Sequence, residues 1–116
     1  PVAAFFVYLL PMFVALLLTA YATYDHHSGL DMDDPHHASR NTESKWFNKL
    51  TGNLGYHTAH HIRFGLHWSK LPELHEELKP KIPADCIGAP NGIFVFFDKI
   101  DRLITGNEIP YLPKKV

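Results

Sequence analysis

Histidines at positions 57, 60 and 61 stand i, i+3, i+4 apart in the stretch Asn53-Leu-Gly-Tyr-His57-Thr-Ala-His60-His61. On an α-helix that spacing puts three imidazoles on one face. A neutral imidazole nitrogen is a ligand for iron, zinc, copper or nickel, so the pattern is one that can hold a metal without selecting which. A solvated histidine face has the same spacing, and three fixed residues alone do not separate the two readings. The neighbourhood favours the metal, because a second pair, His26 and His27, stands at the end of a membrane-length apolar run. His67 follows closely enough after His61 to face the same site, whereas His75 reads as a surface or packing residue.

Composition bounds the alternatives. The chain of 116 residues is one domain at most, and nine histidines are its one compositional outlier. Eleven Lys and Arg against 12 Asp and Glu give a formal net charge of −1, which leaves no basic surplus for nucleic acid. A single cysteine, Cys86, excludes an internal disulfide framework and a cysteine-based zinc site. It reads as a small packed residue in a reducing compartment.

The elements that must position the histidines begin with the apolar run. Residues 1–24 carry no charge, and Val2 to Ala22 supplies the length needed to cross a hydrocarbon core. The run is apolar all round and long for a buried core helix, so it predicts a transmembrane helix. Pro11 should kink it, and Tyr21 and Tyr24 suit the membrane interface. Asp25, His26 and His27 then project just outside the hydrocarbon, where ionisable groups at a helix end read as functional. The chain opens inside this run, without the flanks of a signal peptide, and so reads as the C-terminal part of a longer protein. Its Lys and Arg follow the apolar run, which places residues 25–116 on the cytoplasmic side.

Residues 28–43 read as a polar loop. Asp31, Asp33 and Asp34 resemble a calcium loop, but Thr42 stands where a bidentate Glu is needed. His36 and His37 read as solvated. Trp46, Phe47 and Leu50 have helical spacing, and the two aromatics suit a membrane interface. Gly52 and Gly55 bracket the start of the histidine stretch, Asn53 can cap the helix that carries it, and Gly65 closes it. A short helix follows with Ser69 as cap, Pro72 in its first turn, acidic residues near its start and Pro80 as its stop. After a Pro-rich connector, Asn91 opens an amphipathic helix closed by Gly106. Its apolar residues run from Ile93 to Ile104, with a heavy aromatic share, and it either packs on the domain or lies in the membrane interface. The tail from Ile109 to Val116 reads as extended.

With these elements placed, Gly55-Tyr56-His57-Thr-Ala-His60-His61 resembles the third histidine box, HxxHH, of the membrane fatty acid desaturases. Leu50-Thr-Gly-Asn53-Leu-Gly-Tyr is similar to the run that leads into that box in acyl-lipid and sphingolipid desaturases. Asp25-His26 is similar to an acidic-His pair found there, and to the place of an additional ligand in the related alkane hydroxylases. Leu71-Pro-Glu-Leu-His75 resembles the segment after the box. The resemblance covers residues 20 to 80. It implies an all-α fold, a membrane helix bundle with a cytoplasmic helical cap, holding a non-haem di-iron centre in histidines drawn from three boxes. His57, His60 and His61 would be iron ligands. His26 would be another, with His27 its rival because the match slips by one residue around Ser28. The first two boxes, HxxxH and a second HxxHH, are absent from these residues. The resemblance therefore implies a C-terminal part, inactive alone, whose two irons are completed by histidines upstream.

The implied chemistry is the O2-dependent desaturation of fatty acyl chains. No acid or base side chain removes hydrogen from an unactivated methylene pair, so an oxidised metal must do so. Asp25 is placed to orient an imidazole from behind. The implied partners are membrane lipid, a fatty acyl substrate, O2 and an electron donor of ferredoxin or cytochrome type. Two other readings share the residues: a hydroxylase or ketolase on the same scaffold, and a membrane-anchored protein that binds metal without catalysis.

Overall fold

The computed structural model describes residues 1–88 and 92–106. Asn91 and the tail from Ile109 lie outside the described residues. Helices account for the regular structure. Among the described residues there is no strand, only a single backbone bridge between Asn41 and Ile87. The all-α expectation holds.

The uncharged run forms α1 (Val2–His27), whose apolar stretch has no part buried against the rest of the chain. Such a helix must satisfy its polar groups internally. Thr19 and Thr23 do so by donating their hydroxyls to the carbonyls of Ala15 and Thr19, at 2.8 and 2.9 Å. Pro11 is accommodated by a wider turn over Phe5–Leu9, where the Leu10 amide reaches back to the Phe5 carbonyl. That π-type turn lies immediately before Pro11, which has no N–H to donate to the preceding turn. The helix continues through Asp25 and both histidines, so the ionisable groups sit on its last turn.

Three short helices and one longer one follow. In α2 (Lys45–Thr51) the Ser44 side chain accepts from the Phe47 amide at 3.2 Å, and Gly52 ends the helix in the left-handed region at φ 64°. The histidine box forms α3 (His57–Ile62). Asn53 does not cap it: its backbone is itself left-handed, and its side chain donates to the Trp68 carbonyl. The cap comes from a distance instead, with Asn41 Oδ1 accepting from the Thr58 amide at 3.0 Å. Ahead of α4 (Leu71–Leu78), the His67 ring, not Ser69, takes the capping position over a 3-10 turn. The amphipathic helix is α5 (Ile93–Thr105), closed by Gly106 at φ 67°.

Two small apolar cores hold these pieces. Phe47 of α2 meets Phe94 of α5 edge-on at 5.1 Å, and Phe97 flanks them. Ala59 of α3 packs on Leu71 and Leu74 of α4. Between the cores runs a polar seam. Ser39, Asn41, Thr42 and Thr58 are fully buried, which the polar reading of residues 28–43 did not foresee. They are tolerated because they bond one another: Asn41 Nδ2 donates to Thr58 Oγ1 at 2.8 Å, and Ser39 Oγ lies 2.9 Å from it. Gly55 is required here, since a Cβ would come within 2.6 Å of Asn48 Oδ1 and of the Thr42 carbonyl.

Candidate metal centre

The seam delivers the loop that returns from α1 to the first turn of α3, and this brings the two histidine groups together. The Nε2 atoms of His27 and His61 each lie 3.1 Å from His57 Nε2. The three nitrogens form one group whose spacing suits a shared metal ion.

The tautomers follow from what stands behind each ring. A carbonyl can only accept, so a ring nitrogen bonded to one must carry the proton. His27 Nδ1 donates to the Ala38 carbonyl at 2.8 Å, and His57 Nδ1 to the Leu54 carbonyl at 3.3 Å. In the neutral rings both Nε2 atoms then bear bare lone pairs, which face each other at 3.1 Å. Two lone pairs at that distance repel unless a cation lies between them. A proton is disfavoured, because burial, and next the His26 imidazole, pushes His57 down to about 2. Burial, then His27, also lowers His61. The donor set fits a metal cation, with backbone carbonyls orienting the imidazoles from behind.

The remaining histidines divide clearly. His26 is buried and stacks on His57 with centroids 3.8 Å apart. Its Nδ1 donates to the Arg40 carbonyl at 2.8 Å, which leaves a buried Nε2 without a hydrogen-bond partner. His60 lies outside the three-nitrogen group, its ring 5.7 Å from that of His57 and 5.4 Å from Phe64. Successive helical residues turn by about 100°. His60 and His61 therefore lie on either side of the direction of His57 on one helix face, with their own rings 5.6 Å apart. His67 is exposed, paired with Ser69 and stacked on Trp68. Asp25 orients no imidazole among the described residues, and accepts from the Ile93 amide at the start of α5 instead.

His75 is fully buried rather than superficial. Its Nε2 lies 3.2 Å from Glu43 Oε1, and the same carboxylate binds Lys79. The hydrogen bond from His75 leads the causes that hold Glu43 down at about 2. Tyr56, the neighbour of His57, lies against the His75 ring at 4.8 Å. Glu43 gave no signal in the sequence, since its partners lie more than 30 positions away. Two further groups, Glu43–His75–Glu76 and His37–Asp85–Cys86, also have metal-binding spacing. In the first, Lys79 already neutralises the carboxylate. In the second, burial pushes the Cys86 thiol up to about 11, and the thiol donates to the His37 carbonyl.

An apolar cavity of about 320 Å³ opens beside the cluster. Leu18 and Ala22 of α1, Phe47 of α2 and Phe97 of α5 form its sides, and His26 and His57 border it.

A family model described as fatty acid desaturase matches residues 1–88. Neither curated proteins nor solved structures give a significant match.

Proposed function

The chain belongs to the fatty acid desaturase family, and from that premise we propose that it forms part of a membrane enzyme that desaturates fatty acyl chains with O2. Membership of the family carries the coarser reading of oxidoreductase chemistry on lipid chains at a membrane. The observation that carries the finer reading is the facing pair of bare Nε2 atoms on His27 and His57, each fixed by a carbonyl behind its ring.

His27, His57 and His61 would hold one iron. His60, outside the three-nitrogen group, and His26, with its unpartnered Nε2, would be the nitrogens left for a second iron completed by upstream histidines. Bound iron would supply the O2-derived oxidising power that removes hydrogen from an unactivated methylene pair. The residues of this chain do the rest. The carbonyls of Ala38 and Leu54 keep the protons on Nδ1, so that Nε2 is free to bind. Burial keeps His57 neutral at physiological pH. Phe47, Leu18, Ala22 and Phe97 offer an apolar, water-poor wall next to the cluster, suited to a methylene chain. The electron donor would be of ferredoxin or cytochrome type, and the histidine region would face the cytoplasm.

The test is iron content and acyl products of the full-length protein in a host whose lipids are analysed by mass. Bound iron and products two hydrogens lighter are expected. Products heavier by one oxygen would assign a hydroxylase or ketolase. Stoichiometric zinc with unchanged lipids would leave a metal-binding protein without this activity.

A further inference from the structure

The helix α5 lies beyond the residues that match the family, and it is apolar on the side that packs on α2 and also on much of the side that does not. Its inward side carries Phe94 together with two buried carboxylates, Asp98 and Asp101. Asp101 accepts from the amides of Lys45 and Trp46 and so caps α2. Its outward side carries Phe96, Leu103 and Ile104, which are 59%, 84% and 60% exposed, with Ile93 and Ile100 half-buried beside them. Lys99 and Arg102 border this apolar stripe. A helix that buries two acids beside its packed aromatics and still leaves three large apolar side chains outside is matched to an outer medium that is itself apolar.

The position of α5 says what that medium is. Its first amide, on Ile93, donates to Asp25 at 3.3 Å, and Asp25 belongs to the last turns of α1. Gly92 lies so close to the Asp25 carboxylate that no Cβ fits there. Phe94 packs on His26 with centroids 4.6 Å apart. Ile93 and Phe97 border the same cavity as Leu18, Thr19, Ala22 and Thr23 of α1. The first two turns of α5 therefore lie level with the cytoplasmic end of the apolar span, where hydrocarbon gives way to headgroups.

We propose that α5 is an in-plane membrane-interface helix, with Phe96, Leu103 and Ile104 seated in the lipid surface and Lys99 and Arg102 at the level of anionic headgroups. Tyrosines near the end of α1, together with this helix, then fix the depth at which the histidine cluster meets the bilayer. This inference rests on α1 spanning the membrane and not on the reaction catalysed.

The test uses the full-length protein with Cys86→Ala, carrying single nitroxide labels at positions 96, 99, 102 and 103. It is reconstituted in phosphatidylcholine vesicles containing phosphatidylglycerol. Collision rates with O2, which concentrates in lipid, and with a neutral nickel chelate, which stays in water, are read by electron paramagnetic resonance. Labels at 96 and 103 are expected to favour O2 several-fold over those at 99 and 102, in helical alternation. Equal nickel access at 99 and 103 would overturn the proposal, because the face would then lie in water. Exclusion of both reagents at 96 and 103 would also overturn it, because protein would then cover the face. Leu103→Trp in the otherwise native chain gives a second readout free of the Cys86 change. Lipids brominated near the headgroup end of their acyl chains are expected to quench its fluorescence, and lack of quenching would count against the proposal.

Discussion

His57 and His75 are both buried imidazoles on short helices, and their surroundings are opposite in kind. His75 faces the Glu43 carboxylate, itself bound to Lys79, so its polar group has a charged partner within the chain. His57 Nε2 faces the imidazoles of His27 and His61, with the His26 ring stacked on its own. One environment gives His75 Nε2 a charged partner, while its Nδ1 is buried without a hydrogen-bond partner. The other turns the bare Nε2 atoms of His27 and His57 towards each other. A paired carboxylate holds elements of a fold together, and converging lone pairs suit a cation. Burial alone therefore does not mark a functional histidine; the charge of what faces it does.

The largest effect expected from breaking this contrast comes from His57→Ala in the full-length protein. Bound iron should be lost and acyl products should fall to background, while the helical circular dichroism is retained. His75→Ala should do the reverse. It should keep metal stoichiometry but lower stability by on the order of 2–4 kcal/mol, the cost of a cavity plus a carboxylate left facing it. Denaturant titration of the two variants beside metal analysis distinguishes the roles. If His75→Ala loses metal as completely as His57→Ala, the two sites are not different in kind.

A smaller effect separates the adjacent histidines of α1. His27→Ala removes a nitrogen 3.1 Å from His57 and should abolish metal binding in the same assay. His26→Ala removes a ring stacked on His57 and should weaken metal affinity by about 10–100-fold, in the range of changes that disturb ligand orientation. Equal losses would place both nitrogens in contact with metal.

The carboxylates extend the comparison to pH. Glu43 is held down at about 2, first by His75, so its ion pair stabilises the fold above the ordinary Glu value of 4.5. That contribution is lost as pH falls from about 4.5 towards 2. Glu43→Gln should flatten the dependence in this window, with a loss of a few kcal/mol at most at neutral pH. Asp98 has the opposite sign. It is buried, and burial, then Asp101, raises it to about 6 against the opposing pull of the Thr42 hydroxyl. The native state holds this proton more tightly than the unfolded chain does, so stability falls as pH rises from about 3.8 to 6 and stays lower above that. Asp98→Asn should remove this slope and raise thermal stability above pH 6, by about 1–3 kcal/mol at most. Asp101 is the charged group facing it, and its bonds to the α2 amides are untouched by the change.

The apolar length of α1, the helical spacing of His57, His60 and His61, and the glycines at 52 and 106 are local properties. They name elements, and even a family, from the chain alone. The caps were misread where they are not local: Asn53 stands at the expected position, but Asn41 holds the helix of the box from 17 residues away. Glu43 was invisible because nothing in its neighbourhood announces a partner at position 75. The different surroundings of His26 and His27 are not encoded in their adjacency: one ring stacks on His57 and the other points its Nε2 at it.

An apolar helix of membrane length, a histidine box with metal-ligand spacing and an amphipathic helix after it all follow from residue types and periodicity within a few turns. The packing between elements set the rest: His27 meets His57 and His61, His60 lies outside that three-nitrogen group, and α5 buries Asp98 and Asp101 beside Phe94 while Phe96, Leu103 and Ile104 stay exposed. Those outcomes depend on long-range hydrogen bonds, from Arg40 to His26, from Thr58 to Asn41 and from Ile93 to Asp25, which set the distances between elements. No local pattern of residue types encodes a distance between helices, and metal chemistry depends on that distance.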